Sequence, residues 1–309
     1  MKRYIKLICL IFVSVFLLCT CAKKDEKTPF ITFTDSVGRE VVLYERPTKT
    51  AVLFSSFSDM WSLAGGEVSI TVGESVERGI CEENVLLVDK GAGKSINLDL
   101  LISYKPDFVI CSADIALQSS ASEILCAAGI PCASFRVESF SDYLSVLDIM
   151  TDITGNKEAY KKYGLDLKES IDALISNATH EESKNILFIR AGTTAKATKA
   201  KRAEDHFAAK MLKELGSYNI ADNAPVLLDS LSMEEVLREN PDCIFITTMG
   251  NESLAKEYMD SLLSDDLWQS LDAVKNGRYY YLPKELFQFK PNEKWYEAYY
   301  TLWEILYEK

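Results

Sequence analysis

Residues 190–202 read RAGTTAKATKAKR, placing Arg190, Lys196, Lys199, Lys201 and Arg202 within a short run that contains no acid. The whole chain carries a formal charge of -12, so uncompensated cations stand out against an acidic background. Following a strand-like run directly, they read as an anion-attracting loop; a solvated basic face is the commoner fate of charge runs in general. The other side chains with chemical reach sit in loops that follow strand-like runs. Ser56, Trp61, Arg78 and Lys94 are the candidates in the first half, and Thr248, Phe287 and Lys290 those in the second. Phe287 and Phe289 serve either as a surface for a flat chelate or as local core. Cations aimed at a chelate with negative oxygens would offset the cost of taking its charge out of water.

Several chemistries are excluded by what is missing. His180 and His206 are the only histidines and lie in unrelated settings, so a bare divalent metal site has no ligand cluster. His206 remains a candidate haem or corrinoid ligand, although a lone histidine is more often structural. No GxSxG, HExxH, phosphate-binding glycine loop or Cys/His pairing is present, and neither an enzyme nor a bound cofactor is expected.

The N-terminus sets the compartment. Lys2, Arg3 and Lys6 precede an apolar run over residues 7–18 broken only by Cys9 and Ser14, a secretory signal too short to span a bilayer comfortably. Leu18-Cys19-Thr20-Cys21 resembles the lipobox of bacterial lipoproteins, which makes residues 1–20 a signal peptide and Cys21 the lipidated new N-terminus. An uncleaved signal anchor is the alternative, and both put the bulk of the chain outside the cytoplasm. Loss of the first twenty residues removes three cations and no acid, taking the charge from -12 to -15. Nucleic acid is therefore not an expected partner. Cys81, Cys111, Cys126, Cys132 and Cys243 remain besides Cys21, without a CxxC pair. No disulfide framework is indicated, although one pair among them could bridge.

The elements that must position these side chains follow from periodicity. After a tether over residues 21–29, residues 30–33 and 40–43 alternate around Asp35-Ser36-Val37-Gly38-Arg39 as a β-hairpin. Apolar, β-branched runs at 51–54, 70–72, 108–111 and 132–135 read as strands, with helices at 59–64, 98–104 and 120–128. From Ser139 the texture is helical, with Leu144, Leu147, Met150 and Ile153 on one face, an interruption at Thr154-Gly155-Asn156, and a second helical pattern to residue 177. Strands resume at 186–189, 243–246 and 279–282, with helices at 207–215, 233–239, 252–263 and 295–307. The order is α/β, helix, α/β, with mostly parallel sheets.

In this order the sequence resembles the substrate-binding lipoproteins of ABC importers for iron-siderophore, haem and cobalamin uptake. Residues 33–41 (FTDSVGREV), Asn97-Leu98-Asp99-Leu100-Leu101 with Lys105-Pro106-Asp107, Ala128-Gly129-Ile130-Pro131 and Thr154-Gly155-Asn156 carry the resemblance in the first half. Leu215-Gly216, Ser232-Met233-Glu234, Asn240-Pro241-Asp242 and residues 273–278 (AVKNGR) carry it in the second. The resemblance implies two Rossmann-like lobes, residues 30–138 and 179–309, joined by a backbone helix over 139–178, with one ligand in the cleft between them. It also implies a monomer that docks on a permease, itself coupled to an ATPase, through one acid per lobe. Those positions fall on Asp99, where the family usually has Glu, and on Glu234, with Asp229 and Glu235 nearby. Ferric siderophore is the expected ligand, with haem and cobalamin as alternatives; a sensor or adhesin that keeps the fold is the reading from a different class.

Overall fold

The computed structural model describes residues 27–89 and 95–308; the expected signal peptide, Cys21 and Lys94 lie outside the described residues. The hairpin of β1 (Ile31–Thr34) and β2 (Glu40–Leu43) is antiparallel. Its turn closes because the buried Asp35 carboxylate accepts the backbone N–H groups of Val37 and Arg39 at 3.1 and 2.9 Å. The same carboxylate accepts the Ser134 N–H at 3.0 Å, which fastens the hairpin to the first sheet.

That sheet contains β3 (Thr50–Val52), β4 (Val68–Thr71), β5 (Leu86–Leu87), β6 (Phe108–Ser112) and β7 (Cys132–Phe135), in the order β5-β4-β3-β6-β7 with every pair parallel. Strands β3, β6 and β7 are buried throughout, as expected of a sheet with helices on both faces. The second sheet contains β8 (Asn185–Ala191), β9 (Lys199–Ala200), β10 (Tyr218–Asn219), β11 (Cys243–Thr248) and β12 (Tyr279–Tyr281). Its order is β10-β8-β11-β12, all parallel, with β9 folded back antiparallel on β8. In each sheet the connections run outward in opposite directions from two central strands. The resulting switch points lie beyond the carboxyl ends of β3 and β6 in one lobe and of β8 and β11 in the other, the places where such sheets leave room for ligands.

Between the sheets, the helix Phe140–Thr154 starts on Ser139, whose Oγ accepts the Asp142 N–H at 3.1 Å, and stops at Gly155, which has φ +75°. A Cβ there would lie 2.7 Å from Arg46 Nη2, so glycine meets both the backbone and the packing requirement. Lys157–Tyr160, a π-helical turn Lys161–Leu165 and Asp166–Ala178 then follow without a gap. The π turn departs from the uninterrupted pattern expected there; Gly164 is the buried residue of that turn.

One hydrophobic cluster runs through both lobes, while a smaller cluster backs the outer face of each sheet. Trp295, fully buried, is the shared element. Its ring meets Phe140 at 5.8 Å and Tyr143 at 6.1 Å from one side and Phe207 at 5.8 Å from the other. The second lobe is thus fixed to the connecting helix.

Candidate ligand cleft

On the first lobe, the helix Ser55–Leu63 begins three residues beyond β3 and presents Ser55 and Ser56 at the switch point. Arg78, expected in a loop, is instead the C-terminal cap of the helix Gly73–Glu77. Arg78 Nη1 donates to Ser55 Oγ at 2.9 Å and to Ser56 Oγ at 3.3 Å. Ser55 in turn donates to Glu74. The guanidinium lies 3.9 Å from the centre of the Phe289 ring, and burial lowers its pKa, partly offset by Asp59 and Glu74. Arg78 and Phe289, with Asp59, Glu77, Glu285 and Glu293, line a cavity of about 620 Å³ between the lobes.

On the second lobe, Arg190 sits near the end of β8, opposite Thr247, and Thr248 is the half-buried last residue of β11. The basic run divides. β9 turns Lys201 back toward Arg190, whose like charge helps burial to lower the Lys201 pKa, against a smaller opposing pull from Asp205. Lys196 instead stays exposed on the turn Ala195–Ala197, and Arg202 pairs with Glu204 and Asp205. Next in the chain, His206 caps the helix Phe207–Glu214, with Nδ1 accepting the Ala208 N–H at 3.2 Å. Its ring lies 4.9 Å from Phe188 and 5.0 Å from Phe207. Burial, then the charges of Lys290, Arg190 and Lys201, hold its pKa down to about 3, so the imidazole is neutral with its proton on Nε2. Arg190 Nε is buried without a hydrogen-bond partner among the described residues.

Residues 290–292 bridge the two sides. The Lys290 N–H donates to Ser56 Oγ at 3.2 Å, and Lys290 Nζ donates to Glu138 Oε1 at 2.8 Å. Asn292 Nδ2 donates to Ser56 O at 2.9 Å and to Asp59 Oδ2 at 2.6 Å.

Two expected contact residues are displaced from the cleft. Trp61 is 2 % exposed, packs in the central core and donates Nε1–H to Glu67 O at 3.0 Å; its ring also fills the space beside Gly66. Phe287 is completely buried in the same cluster, and Phe289, two residues on, is the ring that faces Arg78. Sequence reasoning missed Glu138, Asp59 and Asn292, whose importance arises only from contacts across the lobes; the sole local signal is the left-handed backbone of Asn292, at φ +53°. Asp99 and Glu234 are both exposed, in the first turns of Leu98–Ser103 and Met233–Glu239. Among the described residues, no group of three or more His, Cys, Asp or Glu is arranged to hold a metal ion, and no helix is long and apolar enough to cross a membrane.

Residues 51–286 match the family described as periplasmic binding protein. The chain belongs to that family. This periplasmic binding protein is 23% identical over 273 residues to an uncharacterized ABC transporter substrate-binding lipoprotein, YvrC, of Bacillus subtilis (strain 168), covering 85% of this chain and 81% of the relative. It is 27% identical over 219 residues to the Fe(3+)-citrate-binding protein YfmC of the same organism, covering 65% of each. Among solved structures it resembles S. aureus IsdE complexed with heme (TM-score 0.68, 14% identity, 84% of this chain and 98% of that one). It also resembles Staphylococcus aureus SirA complexed with staphyloferrin B (TM-score 0.67, 17% identity, 90% and 97%). These likenesses establish the two-lobed α/β fold expected from the sequence. The periplasmic binding protein family works by holding solutes, so the chain is a binding protein and not an enzyme.

Proposed function

We propose that this chain is an extracytoplasmic lipoprotein, anchored through Cys21, that captures an anionic ferric chelate in the cleft and delivers it to an ABC importer. One observation carries the reading: Arg190, Lys201 and Lys290 converge around a neutral His206, with Arg190 Nε buried and unpartnered among the described residues. Arg190 and Lys201, like charges near a switch point, are completed by an anion, whereas Lys290 is already paired with Glu138. A chelate with carboxylate or other negative oxygens supplies acceptors for Arg190, Lys201, Lys290 and the Nε2–H of His206. The relatives named for Fe(3+)-citrate and staphyloferrin B support this class. In this account residues 30–138 and 179–309 are the working lobes, 139–178 connects them, and the protein acts as a monomer. Asp99 and Glu234 are the docking acids for arginines of the permease, which works with its ATPase.

Haem, the ligand of the IsdE structure, fits His206 less well. Nδ1 accepts a backbone N–H, so the neutral ring keeps its proton on Nε2, the atom that axial ligation needs bare. Thermal shift of the soluble chain beginning after Cys21, against ferric citrate, ferric hydroxamates, ferric catecholates, haem and cobalamin, separates the readings. Ferric citrate or another anionic chelate is expected to raise the melting temperature. A shift with haem or cobalamin alone, or with none of the set, contradicts the proposal.

A further inference from the structure

Away from the cleft, the first lobe gathers three thiols. Cys111 on β6 and Cys132 on β7 are buried in the outer core of the first sheet, and the partly exposed Cys126, in the last turn of the helix Ala116–Ala127, packs against them. The turn between Cys126 and Cys132 is tight. Gly129, at φ +81°, lets its own N–H reach Cys126 O and the Ile130 N–H reach Leu125 O, each at 3.0 Å, the closing bonds of a helix C-cap. The chain reverses at once into β7, which brings Cys132 into the cluster that Cys126 packs against, with Cys132 Sγ donating to Ile130 O at 3.3 Å. Arg39 Nη1 lies 3.5 Å from Cys126 Sγ. Asp35 holds that guanidinium through Nη2 at 2.8 Å, and Ser134 Oγ accepts from the same nitrogen at 3.1 Å.

We propose that Cys126 and Cys132 form a disulfide on exposure to a low-molecular-weight disulfide oxidant, a modification that ties the end of the helix to the start of β7. Cys126 is the attacking residue because it alone of the three reaches the surface, where an oxidant can meet it, beside the Arg39 guanidinium. Burial pushes the Cys111 thiol up to about 12 and raises that of Cys132 further, so neither initiates. The Cys126 thiolate attacks one sulfur of the oxidant, whose S–S bond breaks; the departing thiolate takes up the proton lost by Cys126, leaving a mixed disulfide. Cys132 then loses its proton and attacks the Cys126 sulfur, expelling the second half of the oxidant, which is protonated in turn. Two protein thiols are oxidised and one disulfide is reduced to two thiols. Cys111 stays out of the exchange because it lies on β6, opposite Ser134, away from the turn that joins Cys126 to Cys132. The pairing does not depend on which ligand the cleft takes.

The test incubates the folded chain beginning after Cys21 with oxidised glutathione, blocks residual thiols with iodoacetamide and cleaves after glutamate. Glu123 and Glu138 release residues 124–138, which hold Cys126 and Cys132 but not Cys111. The expected peptide is unalkylated and lighter than its reduced form by two hydrogens. In Cys132→Ser the glutathione adduct should persist on Cys126, and in Cys126→Ser the peptide should remain a free thiol. A doubly alkylated wild-type peptide, a lasting adduct on wild-type Cys126, a link to the peptide that contains Cys111, or an adduct on Cys132 in Cys126→Ser overturns the proposal.

Discussion

The two walls of the cleft hold their cations in opposite ways. On the first lobe, Arg78 is engaged through Nη1 by Ser55 and Ser56 and lies over the Phe289 ring, and Glu74 stands behind them. On the second, Arg190 and Lys201 repel each other beside an uncharged histidine, and one guanidinium nitrogen has no partner among the described residues, while Lys290 is paired with Glu138. A paired cation is part of the scaffold; a cation held among its own kind is stabilised by what arrives. In the proposed function the first wall shapes the cavity, and the second recognises charge.

The contrast has meaning only if the walls are fixed relative to each other, so the largest expected effect is on their joint. Trp295→Ala removes the ring shared by Phe140, Tyr143 and Phe207 and should cost about 3–5 kcal/mol of stability; chemical denaturation measures it. The next effect separates the walls. Arg190→Gln should weaken binding of an anionic ferric chelate by about 1.5–3 kcal/mol, roughly tenfold to a hundredfold, with the unliganded melting temperature unchanged or raised. Arg78→Gln should reverse the pattern, costing stability first. Isothermal titration alongside melting curves distinguishes them, and equal behaviour of the two variants would erase the contrast.

A smaller effect appears in acid. His206 is held at about 3 in the folded chain, whereas an unfolded imidazole titrates near ~6.5, so between those values the unfolded chain binds the extra proton. Stability from this group is complete above the unfolded value and is lost as pH falls, on the order of 1 kcal/mol per pH unit. His206→Gln should flatten that slope in urea melts between pH 6.5 and 4. The smallest effect is expected at Lys196, in the same basic run but exposed and not among the charges acting on His206. Lys196→Glu should leave ferric-chelate affinity within about twofold, the behaviour of an exposed rim charge.

The fate of that run shows where sequence reading stops. The parallel strands, the hairpin and the Ser139-capped helix were legible because burial on two faces, turn chemistry and capping leave local patterns. Lys196 and Lys201 look alike in sequence. They part only because residues 199–200 pair with β8, a contact that two residues cannot announce. The helix Gly73–Glu77 is too short for a periodic signal. Trp61 and Phe287 were legible as large aromatics in loop-flanking segments, but whether such a ring faces a ligand or a core is decided by what packs over it. Asp59, Glu138 and Asn292 acquire roles only across the lobes.

The measurement that tests the account most directly is an anomalous difference map at the iron edge, from crystals of the soluble chain bound to the ferric chelate that raises its melting temperature most. The account predicts one strong peak in the cleft, with chelate oxygens on Arg190, Lys201, Lys290 or His206 Nε2. A peak elsewhere contradicts it, such as in the cavity of about 430 Å³ lined by Thr198, Met233, Tyr258 and Trp268, as does a chelate in the cleft that touches none of those four.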